Sequence, residues 1–263
     1  MNCENIKKTN RIGICADGNV GEKTLKFLLE NFRNDIIWVV CENKESEILQ
    51  ILKKYNFDSN NIFLNSDLKN KTTLNKLNKS NVDYIILAWW PHIIKNPILS
   101  IPNIGILNFH PSLLPYNRGK HYNFWTIVEN TSFGVTIHFI DEKTDSGDII
   151  FQKKIKKEWT DTGKSLYDKA QKTMINLFIK KYPEIRAGNY TRIKQKLNEG
   201  SFHFAKELDE ASKIDLDKKY KARDLLNIIR ARTFLPHPAA WFEEKENIYE
   251  VRVDIKKRRL KDK

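Results

Sequence analysis

The chain has no apolar run long enough to cross a bilayer as a helix. Its most apolar stretch, IILAWWPHII at 85–94, falls short of the roughly 20 residues such a span requires and is broken by Pro91. The N-terminal MNCENIKKTNR is polar and lacks the apolar core of a signal peptide, so the expectation is a soluble, cytoplasmic protein with no membrane partner. Cysteine is scarce: Cys3, Cys15 and Cys41 are odd in number and lack C-x-x-C spacing, which argues against a disulfide framework and leaves no legible metal site. Cys15 and Cys41 fall in predicted strands and read as buried reduced thiols. A dinucleotide fingerprint is missing as well. Gly13, Cys15 and Gly18 stand where three glycines are needed, and Gly13 lies inside a strand, so the turn reads as structural and NAD is not expected. There is no internal repeat and no long low-complexity linker.

Acidic side chains are outnumbered, 33 against 46 Lys and Arg, for a formal net charge of +13. That balance favours acidic partners. The runs KKIKK at 153–157 and IKKRRLKDK at 255–263 read as an exposed strand edge and a solvated basic tail. A non-catalytic nucleic-acid binder using that tail is the competing class. At 263 residues, 40% hydrophobic and 11% aromatic, the chain is long and apolar enough to bury a core of one or two domains.

RIGICA at 11–16 is a strand, DGNVG a glycine turn, and Leu25, Leu28, Leu29 and Phe32 have helical spacing. IIWVVC at 36–41, VDYIILAW at 82–89 and IGILNF at 104–109 repeat the strand pattern, with a helix at Glu47–Lys54 and helical or polar segments between. Apolar strands alternating with helices predict a Rossmann-like α/β fold with a mostly parallel sheet covered on both faces. In SFGVTIHFI at 132–140, Val135, Ile137 and Phe139 alternate with Thr136 and His138, the pattern of a half-buried strand. DEKTDSGD is a loop and IIFQKKI another strand. A helix from Ser165 carries Leu166, Ala170, Met174, Leu177 and Phe178 on one face, with Pro183 as its expected end. After Gly188 a Lys-rich connector leads to GSFHF, a helix at Ala222–Arg232, and strand-like segments at 240–244 and 248–255. The expected division is 1–188 and 189–263, the second a small subdomain of a helix and a β-hairpin.

The chemistry concentrates in IGILNFHP. Asn108 and His110 are two apart in an extended run, so both project to one face, and Pro111 stops the strand. In an open parallel sheet ligands lie beyond the carboxyl ends of the strands, which is where these residues fall. Asp145, in the loop after the 132–140 strand, can come alongside. Singly, each has an ordinary reading: an Asn satisfying a turn, a surface His beside a proline, an Asp bound to its own loop amides.

NFHPSLLPYNRG, followed by GVTIHFIDEKTDSGDII, resembles the folate-dependent formyltransferase family. The resemblance is close over about 80–180 and looser in the N-terminal strands. It implies a catalytic trio of Asn108, His110 and Asp145 and a formyl donor, 10-formyltetrahydrofolate. A primary amine attacks the formyl carbon, giving an oxyanion and a charged nitrogen. The Asn amide suits the oxyanion. The imidazole stabilises charge or shuttles a proton, and the carboxylate orients the imidazole or accepts the amine proton through water. The resemblance also implies a pterin slot from Ala88, Trp89, Trp90 and Ile94, with backbone from Asp141 to Asp145 opposite; Trp89 and Trp90 read equally as core aromatics.

YNRGKHYNFWTIVE at 116–129 and ARDLLNIIRARTFLPHPAAWF at 222–242 look like the sugar-nucleotide N-formyltransferases acting on dTDP-linked amino sugars, in the version serving dTDP-4-amino-4,6-dideoxyglucose and O-antigen synthesis. Methionyl-tRNA stays open as the alternative acceptor within the family. On the sugar reading, Tyr116, Arg118, Lys120 and His121 face the sugar nucleotide, with Arg118 and Lys120 meeting its pyrophosphate. Arg223 and Arg230, seven apart, share a helical face and either add to that field or are merely solvated. Phe234 or Trp241 offers a ring to stack on thymine. The terminal hairpin is expected to pair subunits into a homodimer, and no nucleic-acid partner is expected.

Overall fold

A computed structural model describes residues 10–258. Cys3 and the last five residues of the basic tail lie outside them. Two compact units are interleaved along the chain. One comprises residues up to His110, Thr136–Phe151 and Met174–Lys194; the other comprises Pro111–Val135, Gln152–Thr173 and the chain from Gln195 onward.

The first unit is built on strands β1 (Ile12–Ala16), β2 (Ile36–Cys41), β3 (Ile62–Leu64), β4 (Tyr84–Ala88) and β5 (Gly105–His110), with helices α1 (Gly18–Asn31), α2 (Glu47–Lys54) and α3 (Lys71–Lys79) between them. Strand β6 (Arg118–Gly119) and helix α4 (Tyr122–Val128) belong to the second unit. Strands β7 (Phe133–Phe139) and β8 (Ile149–Ile155) follow, and the sheet order is β3-β2-β1-β4-β5-β7-β8. The first four pairings are parallel, whereas β7 runs antiparallel to β5.

Burial explains the apolar strands. β1 and β4 are buried at every residue, because helical crossovers leave neither face of a parallel sheet to water. Gly13 is in β1 because a Cβ there would lie 2.1 Å from the Trp38 indole, so the residue serves core packing. Trp38 joins Cys15, Val40, Leu87 and Ile106 in one apolar cluster, and its Nε1 donates to Ser80 Oγ at 3.0 Å. Both described cysteines are buried and free, and burial pushes the Cys41 thiol up to about 12.

Two expectations are corrected. β7 is not half-buried; all seven residues are buried, because an interior strand has no solvent face. Helix α5 (Gly163–Ala187) does not stop at Pro183, which lies inside it. One missing N–H is a local loss, and the helix runs another turn until Gly188, with φ +67, turns the chain. Gly188 N then donates to Ile185 O and Asn189 N to Glu184 O.

The second unit adds strand β9 (Phe202–His203), helices α6 (Glu207–Ser212) and α7 (Ala222–Arg232), and a hairpin of β10 (Ala240–Glu244) and β11 (Asn247–Val251). β9 pairs in parallel with β6. The expected helix and hairpin thus form within a residue or a few of their predicted bounds. Among the described residues no helix is long and apolar enough to cross a membrane.

Candidate active site

The trio meets within the first unit. Antiparallel register puts Asn108 opposite His138 and His110 opposite Thr136. The loop after β7 brings in the third member. Asp141, exposed, accepts from Lys143 N at 3.1 Å and from Ser146 Oγ, closing the turn. Asp145 takes the left-handed conformation, φ 53, and a Cβ on Gly147 would sit 2.1 Å from Phe139 O. Asp145 Oδ1 then lies 3.5 Å from both Asn108 Nδ2 and His110 Nδ1.

His138 is a fourth member that the sequence reading left on a solvent-facing strand position. Its Nδ1 donates to Phe139 O at 2.7 Å, which leaves Nε2 as an acceptor 3.2 Å from Asn108 Nδ2. Burial holds this imidazole neutral, pushing its pKa down to about 4 against the opposing pull of Asp145 3.7 Å away, with His110 lowering it further. A neutral ring with a fixed tautomer sets which way the Asn108 amide faces. The role of His138 follows from the sheet register that sets it opposite Asn108, which the strand's own alternation does not reveal.

This arrangement can do two things chemically. One Asn108 N–H is held by His138, while the other makes only a long contact with Asp145 that an oxyanion can take over. With Asp145 on His110 Nδ1, the other ring nitrogen is oriented for proton transfer.

The residues expected to hold the pterin diverge. Ala88 ends β4 fully buried, and Trp90 and Ile94 belong to the apolar core cluster. Trp89 is partly exposed and left-handed, φ 63. Trp90 Nε1 is buried with no hydrogen-bond partner.

The second unit contains a cavity of about 580 Å³. Lys120, His121 and Phe234 line it, as do Tyr167, Arg232 and His237, which sequence reasoning did not select. Phe234 has its ring centre 5.3 Å from Tyr167 and 4.9 Å from His237, an aromatic wall. Arg232 is buried and anchored through Nε to Ser212 Oγ at 2.9 Å. Burial, followed by the nearby cations Arg232 and Lys120, lowers the pKa of His121 and favours a neutral ring that both donates and accepts.

Tyr116, Arg118, Arg230 and Trp241 are not among the lining residues. Tyr116 uses its carbonyl to accept from Ser112 Oγ. Arg118 lies over the Phe202 ring and reaches Leu197 O, in a segment whose backbone is left-handed at Asn117, Gly119 and His121. Arg230 is buried, donating to Asn227 Oδ1 and to the carbonyls of Glu158 and Asp161; it does share a face with Arg223, and both guanidiniums flank Trp159. Trp241 sits in β10, its Nε1 donating to Asp209 O.

A donor amide, an imidazole and a carboxylate at the end of a mostly parallel sheet are equipment for acyl transfer to an amine. The chain belongs to the formyl transferase family, whose model matches residues 16–181, and the N-formyltransferase dimerization C-terminal domain matches 207–257. A dTDP-4-amino-4,6-dideoxyglucose formyltransferase of Mycobacterium tuberculosis is 32% identical over 146 residues, which are 56% of this chain and 62% of that protein. The match thus spans less than two thirds of this relative. A 4-N formyltransferase structure from Francisella tularensis, 26% identical, superposes with a TM-score of 0.77 over 95% of this chain and 99% of that one. The formyltransferase PseJ of Anoxybacillus kamchatkensis, in complex with UDP-4,6-dideoxy-4-formamido-L-AltNAc and tetrahydrofolate, is 28% identical with a TM-score of 0.54, over 76% of this chain and 89% of that one.

Proposed function

We propose that the protein transfers the formyl group of 10-formyltetrahydrofolate to the amine of a dTDP-linked amino-deoxysugar, of the 4-amino-4,6-dideoxyglucose kind, for O-antigen synthesis. The observation that carries the reading is the meeting of Asn108, His110 and Asp145 on one oxygen-and-nitrogen cluster, ordered by the neutral His138, in a chain of this family. The amine nitrogen bonds to the formyl carbon, and the carbonyl electrons move to oxygen, where the Asn108 amide donates. A proton leaves the ammonium for His110 or Asp145. The bond from the formyl carbon to folate N10 then breaks as N10 takes a proton, leaving a formamide and tetrahydrofolate.

The folate fits the chain at the end of β4. An orphaned buried donor, Trp90 Nε1, lies in the expected slot, and a pteridine ring is rich in acceptors. Ala88, Trp89, Trp90, Ile94 and the Asp141–Asp145 turn would hold that ring. For the sugar nucleotide, the aromatic wall of Tyr167, Phe234 and His237 suits a pyrimidine base, and Arg232 with Lys120 suits a diphosphate. Homodimerisation through β10 and β11 is supported by the dimerization-domain match and by Ile248 and Tyr249, which are exposed on β11.

The test is mass spectrometry of the purified protein with 10-formyltetrahydrofolate and a panel of dTDP- and UDP-linked 3-amino and 4-amino deoxyhexoses. A single product heavier by one formyl group is expected from the dTDP-4-amino sugar. Formylation of methionyl-tRNA, with no product from any sugar, would overturn the acceptor assignment.

A further inference from the structure

The segment Asn117–His121 supplies two cavity residues, Lys120 and His121, yet its backbone is left-handed at Asn117 (φ 53), Gly119 (φ 86) and His121 (φ 59). Such a conformation persists only where its surroundings over-determine it. Those surroundings include one carboxylate and one imidazole, beside Thr131 Oγ1, which donates to Asn117 Oδ1 at 2.8 Å, and Ser201 Oγ, which accepts from Asn117 N at 3.1 Å. Glu129 Oε2 accepts from Asn117 Nδ2 at 2.9 Å and from Ser201 Oγ at 2.9 Å. Its Oε1 lies 2.7 Å from His203 Nε2, off the N–H axis, a close contact rather than an aligned hydrogen bond. The other ring nitrogen, His203 Nδ1, faces Glu207 Oε2 at 3.1 Å. Both ring nitrogens thus meet carboxylates. The ring lies flat on Trp125, centroids 3.8 Å apart and planes 8° off parallel.

The backbone completes the clamp. Arg118 N donates to Ser201 O and Lys120 N to His203 O, both at 3.0 Å. A Cβ on Gly119 would lie 2.3 Å from His203 O, so only glycine lets β6 run this close to β9. His203 therefore grips the segment through its own carbonyl while its ring is fixed from α4 and α6.

We infer that His203 and Glu129 are a positioning pair that holds Asn117–His121 in its left-handed course and so fixes Lys120 and His121 in the nucleotide cavity. This rests on the reading of that cavity as the sugar-nucleotide site. Neither residue lines the cavity, so the pair acts through Lys120 and His121 and contributes nothing to the formyl chemistry itself.

The experiment compares wild type with His203→Gln, Glu129→Gln and the double variant, with dTDP as the titrant in calorimetry. Each single substitution is expected to weaken dTDP about tenfold, within the range typical of residues that act through others. The double variant is expected to be little worse than either single one, since both break one clamp. In turnover, KM for the sugar nucleotide rises while kcat and the folate KM stay within about twofold, a split that general loss of structure would not give. Hydrogen exchange supplies an independent reading: the Arg118 and Lys120 amides exchange faster in His203→Gln, and those of β5 do not. Unchanged dTDP affinity and unchanged exchange in His203→Gln overturn the inference alone. Failure of the wild type to bind dTDP at all overturns the cavity's assignment, and the inference with it.

Discussion

His138 couples the site to acid stability, and His138→Gln isolates the effect. The buried ring has its pKa depressed to about 4, whereas in an unfolded chain it titrates near 6.5. Between those values the unfolded state binds a proton that the folded state refuses. Stability therefore falls as pH drops through the window from about 6.5 to about 4, and is unaffected by this group above it. A shift of roughly 2.5 units at 1.36 kcal/mol each is on the order of 3 kcal/mol, a large share of a typical domain's 5–15. Glutamine does not titrate, and its carbonyl can still accept from Asn108, so folding and some activity are retained. Urea unfolding followed by tryptophan fluorescence at pH 7, 6, 5 and 4 measures both proteins. The wild type is expected to lose on the order of 3 kcal/mol more than the variant across the window. Parallel curves would show that the ring titrates normally, and the account of a neutral His138 ordering Asn108 would go with it.

Asn108→Ala is expected to lower kcat about 10²- to 10³-fold, the worth of one oxyanion donor, with little change in melting temperature; a loss below tenfold would remove the amide from that role. His110→Ala is expected to cost roughly 10²- to 10⁴-fold in turnover while leaving nucleotide affinity intact, as stopped assays and dTDP titration can establish together. Arg232→Leu is expected to raise the sugar-nucleotide KM at least tenfold and to leave the folate KM alone, whereas equal effects on both would place Arg232 elsewhere. Gly13→Ala would drive a methyl into the Trp38 indole and is expected to destabilise the fold by about 1–3 kcal/mol in chemical denaturation, without changing kcat in the folded fraction.

The parallel core was legible because continuous apolar strands alternating with helices have few other solutions. The trio was legible through the family resemblance of NFHPSLLP and the later D-x-G loop, since two-residue spacing and a proline stop by themselves only put Asn108 and His110 on one face at the end of β5. What was not legible depends on pairing. His138 looked solvent-facing because alternation in one strand cannot reveal that neighbours cover both faces. Arg118 and Lys120 were paired by charge, which says nothing of backbone course, and the segment is left-handed at Asn117, Gly119 and His121. Arg230 shares a helical face with Arg223 as the spacing predicts, but its Nε and Nη1 donate to Asn227, Glu158 and Asp161, while Arg232, two residues on, lines the cavity.

The interleaving of the two units has a consequence for dissecting the protein. Neither is a continuous length of gene. A fragment ending at residue 188 would lack the end of the first unit and would carry Pro111–Val135 and Gln152–Thr173, two pieces of the second, without the chain beyond Gln195 that belongs with them. A single cut between the two family matches would therefore leave parts of the second unit on both sides of it.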